Sequence, residues 1–284
     1  AGHGGVHPTL AVPVAGIGTI GRPPVPDAEL FVGRAREHAL LAASLDGLKR
    51  SPRCVLVEGE EGIGKSALVR AFIDRAEEDG VRVWQASCYR DARPSPYAPL
   101  EPLLESIRHG AAGDALSALA GEALGDADWR EIGADVRGRR MRFLSAVSRV
   151  LAQAIGSDAA VLCIEDLQWA DAATLLLLNR LLDERPLRLL LVGTRRREDA
   201  ATSDLHHLLD RLERRSRRID LGPLSLADAR ELLRCLHGED PISDGELRAL
   251  RKLTNGNPLF LREWFLHLQE SGMLERHTLT EAVA

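Results

Sequence analysis

Lysine is scarce in this chain. Lys49, Lys65 and Lys252 stand against 34 arginines, a bias that a GC-rich coding sequence produces. Cysteine is scarce as well. Cys54, Cys88, Cys163 and Cys235 form no CxxC pair, which excludes the usual zinc spacings and a disulfide framework. They read as reduced thiols of a cytoplasmic protein. No apolar run approaches 18 residues, so no transmembrane helix is expected, and no charged-then-apolar leader opens the chain. A net charge of −5 argues against a broad basic surface for nucleic acid. No repeat of 20–50 residues is visible.

What is present is ordinary globular material: 284 residues, 45% of them hydrophobic and 28% charged. That length allows one large or two modest domains with a sizeable core. Residues 1–28 are rich in glycine and proline and read as a linker. The start at Ala1, without methionine, leads us to expect a piece of a longer protein. From residue 29 the texture changes. Helices are expected over 37–48, 65–78 and 172–183, with 97–156 mostly helical. Strands are expected over 54–58, 81–85, 159–165, 187–194 and 217–221. Strands alternating with helices imply a parallel sheet covered on both faces. After Pro223 the pattern is helical. The expected division is therefore an α/β domain over 29–222 and a helical domain over 223–284.

Gly59-Glu60-Glu61-Gly62-Ile63-Gly64-Lys65-Ser66 fits GxxxxGK[ST], with a strand expected before it and a helix after it. Glycines let such a loop fold tightly and aim backbone N–H groups at phosphate oxygens, and the helix start adds its positive dipole end. One of only three lysines stands here. An ammonium is a compact point charge suited to a seat between phosphates; a guanidinium fork is not equivalent. Lys65 is expected in an exposed loop, against the β- and γ-phosphates, and the Ser66 hydroxyl on Mg²⁺. Gly59, Gly62, Ile63, Gly64, Lys65, Ser66 and Ala67 are the candidate nucleotide contacts. A second glycine match, GxGxxG at residues 16–21, is rejected as a dinucleotide fingerprint. Pro13 disturbs a preceding strand, and Pro23 and Pro24 prevent a following helix.

The run 160–166 is a hydrophobic strand ending in Glu165 and Asp166. Ligands of parallel α/β sheets sit at the carboxyl ends of strands. Two adjacent acids there suit a magnesium-bound water and an attacking water. Strand alternation would aim them to opposite faces. Asp171 reads as a cap of the next helix. Thr194 and Arg195 end another strand with groups able to read a γ-phosphate. Arg196 and Arg197 read as solvated loop charges, and so do Arg214, Arg215, Arg217 and Arg218. Pro258, after Asn255-Gly256-Asn257, suits the first turn of a helix.

Phe31-Val32-Gly33-Arg34, the phosphate loop, residues 164–171, Gly193-Thr194-Arg195 and residues 256–260 stand in the order found in STAND-class, AAA+-related ATPases. More narrowly, the chain resembles the ATPase domain of large actinobacterial transcription activators, of the large SARP or large LuxR type. The resemblance covers about residues 29–272. It implies a five-stranded parallel sheet in the order 5-1-4-3-2 and a helical lid. It implies that Val32 and Gly33 flank adenine, with Arg34 beside them and Pro258 on the other side. Glu165 would take the magnesium role, Asp166 the base role, and Arg195 the γ-phosphate sensor role. ATP or ADP and Mg²⁺ are the implied cofactors, and self-association in the ATP state is the implied partnership. DNA would be met only through a domain outside this chain. Two departures stand out: Glu165 replaces the aspartate of many relatives, and the winged-helix domain usual after the lid is expected beyond Ala284. The reading is a slowly hydrolysing ATP switch of a transcription regulator. The rivals are an AAA+ motor or loader acting on DNA or protein, and an interaction module that retains ADP without hydrolysis. A small-molecule phosphotransferase ranks last, for want of an acceptor-binding insert beyond residues 88–156.

Overall fold

The computed structural model describes residues 31–48, 53–90, 96–101, 103, 141, 143–149, 152, 158–184, 187–197, 205–237 and 242–270. The expected linker over 1–28, the GxGxxG match, most of the stretch 97–156 and the residues beyond 270 lie outside that set.

The strands are β1 (Arg53–Gly59), β2 (Arg82–Ser87), β3 (Ala160–Glu165), β4 (Leu189–Arg196) and β5 (Ser216–Asp220). All pair in parallel, in the order β2-β3-β4-β1-β5, which is the expected 5-1-4-3-2. β1, β3 and β4 are nearly continuous apolar runs because a central parallel strand is covered on both faces. Successive side chains divide between those faces. Val55, Val57, Val161, Cys163, Leu190 and Val192 pack under helices α1 (Ala35–Asp46) and α2 (Lys65–Glu78). Cys54, Leu56, Leu162, Ile164, Leu189 and Leu191 face α3 (Ala172–Leu181) and α4 (His206–Glu213). Asp171 caps α3 as expected, accepting from the amides of Ala173 and Thr174, both at 2.9 Å.

Three further helices close the described chain: α5 (Leu226–His237), α6 (Asp244–Leu253) and α7 (Pro258–Glu270). They bury their own core of Leu232, Leu233, Leu247, Leu250, Leu261 and Phe265. A capping box sets the start of α6. The Ser243 hydroxyl accepts from the Glu246 amide, and the Glu246 carboxylate accepts from the Ser243 amide at 2.8 Å. Pro258 opens α7 at its first position, as expected.

The basic run 214–218 is not uniformly a solvated face. Arg215 donates to the carbonyls of Asn179 and Leu182 and pairs with Asp183 at 2.9 Å, tying the approach to β5 onto α3. Arg218 pairs with Glu213, and Arg217 is exposed.

All four cysteines are free thiols. Burial pushes Cys54 and Cys88 up to about 12 and raises Cys163 too, so these three stay protonated. Cys235 is exposed. A thiol reagent at neutral pH should therefore modify Cys235 alone in the folded chain, and the other three only after unfolding. Peptide mass spectrometry of native and denatured samples checks this; fast native labelling of Cys163 would contradict the buried core.

Candidate nucleotide site

The ends of β1, β3 and β4 lie along one edge of the sheet. Gly59 stands opposite Arg196, and Ile164 opposite Gly193. At that edge the chain leaves β1 into the loop 59–66, which turns directly into α2. Gly62 (φ +74°) and Gly64 (φ +97°) take left-handed conformations there. Gly62 also lacks room: a Cβ would lie 2.7 Å from Leu259 Cβ. The loop is thus closed by a helical residue nearly 200 positions away. The first-turn amides of α2 end in this loop, an arrangement suited to an anion.

Lys65 is not exposed as expected. It is 8% accessible, and its ammonium donates to the carbonyls of Gly59 at 3.0 Å and Glu60 at 2.7 Å. The loop wraps its own cation, because a buried ammonium needs acceptors. Ile63 is a core side chain, 2% accessible under α1 and α2. Ser66 Oγ donates to Glu165 Oε2 at 2.5 Å. Two oxygen donors from different elements meet at one point, which suits a small hard cation that keeps several waters. Among the described residues no group of three or more His, Cys, Asp or Glu could hold a metal by itself.

Asp166 lies beyond the strand, not on it. Its backbone is left-handed (φ 56°, ψ 49°), so a turn rather than the pleat separates its direction from that of Glu165. Three contacts hold this uncommon conformation. The Asp166 amide donates to Thr194 Oγ1 at 3.0 Å, Trp169 N–H donates to the Asp166 carbonyl, and Gln168 Nε2 donates to Asp166 Oδ1 at 2.9 Å. The other end of the Gln168 amide accepts from the Arg196 N–H.

β4 separates its two terminal arginines. Arg195 is held by Glu58 of β1 at 3.0 Å and by Glu213 of α4. It does not line the cavity described below, so the sensor role expected for it meets two carboxylates already in possession of the guanidinium. The next residue, Arg196, lines the cavity and grips Glu61 with both terminal nitrogens, at 2.7 and 3.1 Å. It is not the solvated loop charge expected. Arg197 does fit that description, paired with Asp220 at the surface.

The cavity has a volume of about 420 Å³ and lies between the loop and the three-helix unit. Gly62, Gly64, Lys65, Ser66 and Ala67 form one wall, with Asp166 and Arg196 at the strand ends. Leu232 and Leu236 of α5 and Pro258, Leu259 and Arg262 of α7 form the other. Charged side chains gather on the loop and strand-end wall and apolar ones, with Arg262, on the helical wall, which suits a ligand with an anionic part and an apolar part. Val32, Gly33 and Arg34, expected beside adenine, are not among the residues lining the cavity. Val32 packs on the helical core, and Gly33 abuts Asp228. The Arg34 guanidinium donates to the carbonyls of Ile63, at 3.3 Å, and Gly222. Burial lowers the affinity of Arg34 for its proton, while Glu37 and Asp228 oppose that shift.

Asn257, part of the motif at residues 256–260, received no role of its own from the sequence. It is 3% accessible; its Nδ2 donates to the Glu61 carbonyl at 2.8 Å, and its Oδ1 accepts from the Leu259 amide at 3.1 Å. The Leu259 amide also reaches the Gly62 carbonyl at 3.3 Å. Leu232 and Leu236 carried only the signal of an amphipathic helix. Arg262 stood in plain view, one turn after Pro258 on the same helix face.

A family described as an AAA ATPase domain matches residues 30–192. Among solved structures, the chain is 20% identical to a STAND protein (signal transduction ATPase with numerous domains) with a tetratricopeptide repeat sensor from Pyrococcus horikoshii. The TM-score is 0.53 over 88% of this chain and 31% of that one. It is 16% identical to the ORC2 protein of Aeropyrum pernix, solved as ADPNP–ADP complexes, with a TM-score of 0.53 over 90% of this chain and 70% of that one. The chain thus spans under a third of the STAND protein's length. No curated protein matches.

Thr194→Val removes the acceptor for the Asp166 amide while keeping shape. An unsatisfied donor at this buried turn costs about 1–2 kcal/mol. Denaturant melting should show that loss, with Thr194→Ser close to wild type; an unchanged midpoint for the valine variant would mean that the bond does not hold the turn.

Proposed function

Because the chain belongs to the AAA ATPase domain family, we propose that it binds ATP and ADP with Mg²⁺ and hydrolyses ATP slowly, as the switch domain of a transcription regulator. In this reading the nucleotide state sets the position of the helical unit over 223–284, the lid of an α/β domain over 29–222. That position controls self-association, and DNA is met through another domain. The observation that carries the reading is one cavity lined by Gly62, Gly64, Lys65 and Ser66 of the loop, Asp166 and Arg196 on one side and by Pro258 and Leu259 on the other.

Each residue has a task that its surroundings support. The loop amides and Lys65 bind the phosphate chain, Lys65 exchanging its two carbonyl partners for phosphate oxygens. Ser66 and Glu165, already in contact, hold Mg²⁺, which neutralises phosphate charge when bound. Pro258 and the leucines of α5 and α7 cover the base and exclude water. Arg196, rather than Arg195, faces the terminal phosphate. Asp166 polarises the attacking water. Its carboxylate, one methylene shorter than glutamate and engaged by Gln168, is a displaced base, and a misplacement of ~1 Å can cost on the order of 100-fold in rate. Slow turnover suits a timer. No described helix is long and apolar enough to cross a membrane.

Two variants test the assignments. Lys65→Ala should weaken ATP and ADP binding by at least about 100-fold, since a charge-assisted contact to phosphate is lost. Calorimetry on a variant shown folded by circular dichroism measures this, and unchanged affinity would remove the phosphate-loop assignment. Asp166→Asn should keep ATP affinity and lose hydrolysis by on the order of 100-fold or more, because an amide accepts no proton. Phosphate release at saturating ATP decides it; turnover equal to wild type would place the base elsewhere. The switch itself is tested by mass in solution. A larger assembly with a non-hydrolysable ATP analogue than with ADP is expected, and equal masses would remove the self-association.

A further inference from the structure

Glu61 occupies one of the unspecified positions of the phosphate-loop motif, which therefore gives it no task. Its side chain is 69% exposed, yet both carboxylate oxygens are engaged by one partner. Oε2 accepts from Arg196 Nη1 at 2.7 Å and Oε1 from Nη2 at 3.1 Å. This two-pronged geometry is also the one in which a guanidinium takes a phosphate. The Glu61 main chain is tied elsewhere: its carbonyl accepts from Asn257 at the start of α7. One loop residue is therefore anchored to the strand end through its side chain and to the helical unit through its backbone.

We propose that Glu61 is an internal competitor for Arg196 that sets how well the site tells a nucleoside triphosphate from a diphosphate. The proposal rests on the nucleotide-binding reading of the cavity. The guanidinium points both terminal nitrogens at one carboxylate. A terminal phosphate obtains Arg196 only when that pair opens. That cost penalises the triphosphate and leaves the diphosphate, which lacks the competing group, largely untouched. Strong discrimination in favour of the triphosphate is thereby held down. A nucleotide switch needs this, because a site that gripped the triphosphate too well would rarely sample the other state. Arg196 also donates its backbone N–H to Gln168, which holds Asp166. The guanidinium can change partners while its backbone stays anchored. A half-exposed ion pair of this kind is worth a factor of up to about 5 in an equilibrium constant.

The test is a double-mutant cycle read by calorimetry with Mg²⁺, using ADP and the non-hydrolysable analogue ADPNP. Glu61→Gln removes the charge, keeps the size, and leaves the backbone bond to Asn257 in place. The ratio Kd(ADP)/Kd(ADPNP) should rise by about 2- to 5-fold in Glu61→Gln. In an Arg196→Gln background the same substitution should leave the ratio unchanged. An unchanged ratio in Glu61→Gln overturns the proposal. So does an equal rise in the Arg196→Gln background, which would mean plain repulsion between Glu61 and phosphate. Failure of the underlying reading registers separately, as no binding of either nucleotide by the wild-type chain, and would overturn both.

Discussion

The parallel pairing of β1 with β4 and of β4 with β3 is the constraint on which the site depends. It brings Gly59, Glu165 and the end of β4 to one edge, although Gly59 is more than 100 residues from the other two in sequence. The pairing has a local requirement. Gly193 must be glycine because a Cβ there would lie 2.2 Å from Leu167 Cδ1. Leu167 begins the tight turn that follows Asp166, and packing it against β4 draws the Asp166 amide onto Thr194. A missing side chain on one strand thereby positions a carboxylate at the end of its neighbour.

Charge is distributed along this edge with a division of labour. Glu58, Arg195 and Glu213 form a largely buried cluster between β1, β4 and α4, where removal of one partner would strand the others. One residue on, the pleat turns Arg196 to the cavity, where it meets the exposed Glu61. Adjacent and chemically identical side chains thus differ in place: one is a brace between elements and the other a lining of the cavity. The pleat decides which is which, because alternate residues of a strand face opposite sides.

The three-helix unit is joined to the loop by main-chain and amide contacts rather than by a large apolar interface. Asn257, the Leu259 amide and the tight seat of Leu259 over Gly62 make the join, with Arg34 bridging Ile63 and Gly222 behind it. Hydrogen bonds at 2.8–3.3 Å are directional and few.

Much of this was legible in the amino-acid sequence. The central strands β1, β3 and β4 announce themselves as short apolar runs, α2 occupies the residues its period indicates, Asp171 caps its helix, and the glycine spacing marks the phosphate loop. Each is local: it depends on neighbours within a turn or a few residues. The tertiary structure decided the rest. That Lys65 is buried, that Arg196 and not Arg195 faces the cavity, that Asp166 leaves the strand in a left-handed turn, and that Asn257 holds Glu61 all depend on contacts between residues 28 to 196 positions apart, or on loop wrapping with no periodic signature. Residue type specifies what a side chain can bind. Which partner reaches it is set by how strands register and helices close, and no local pattern encodes that.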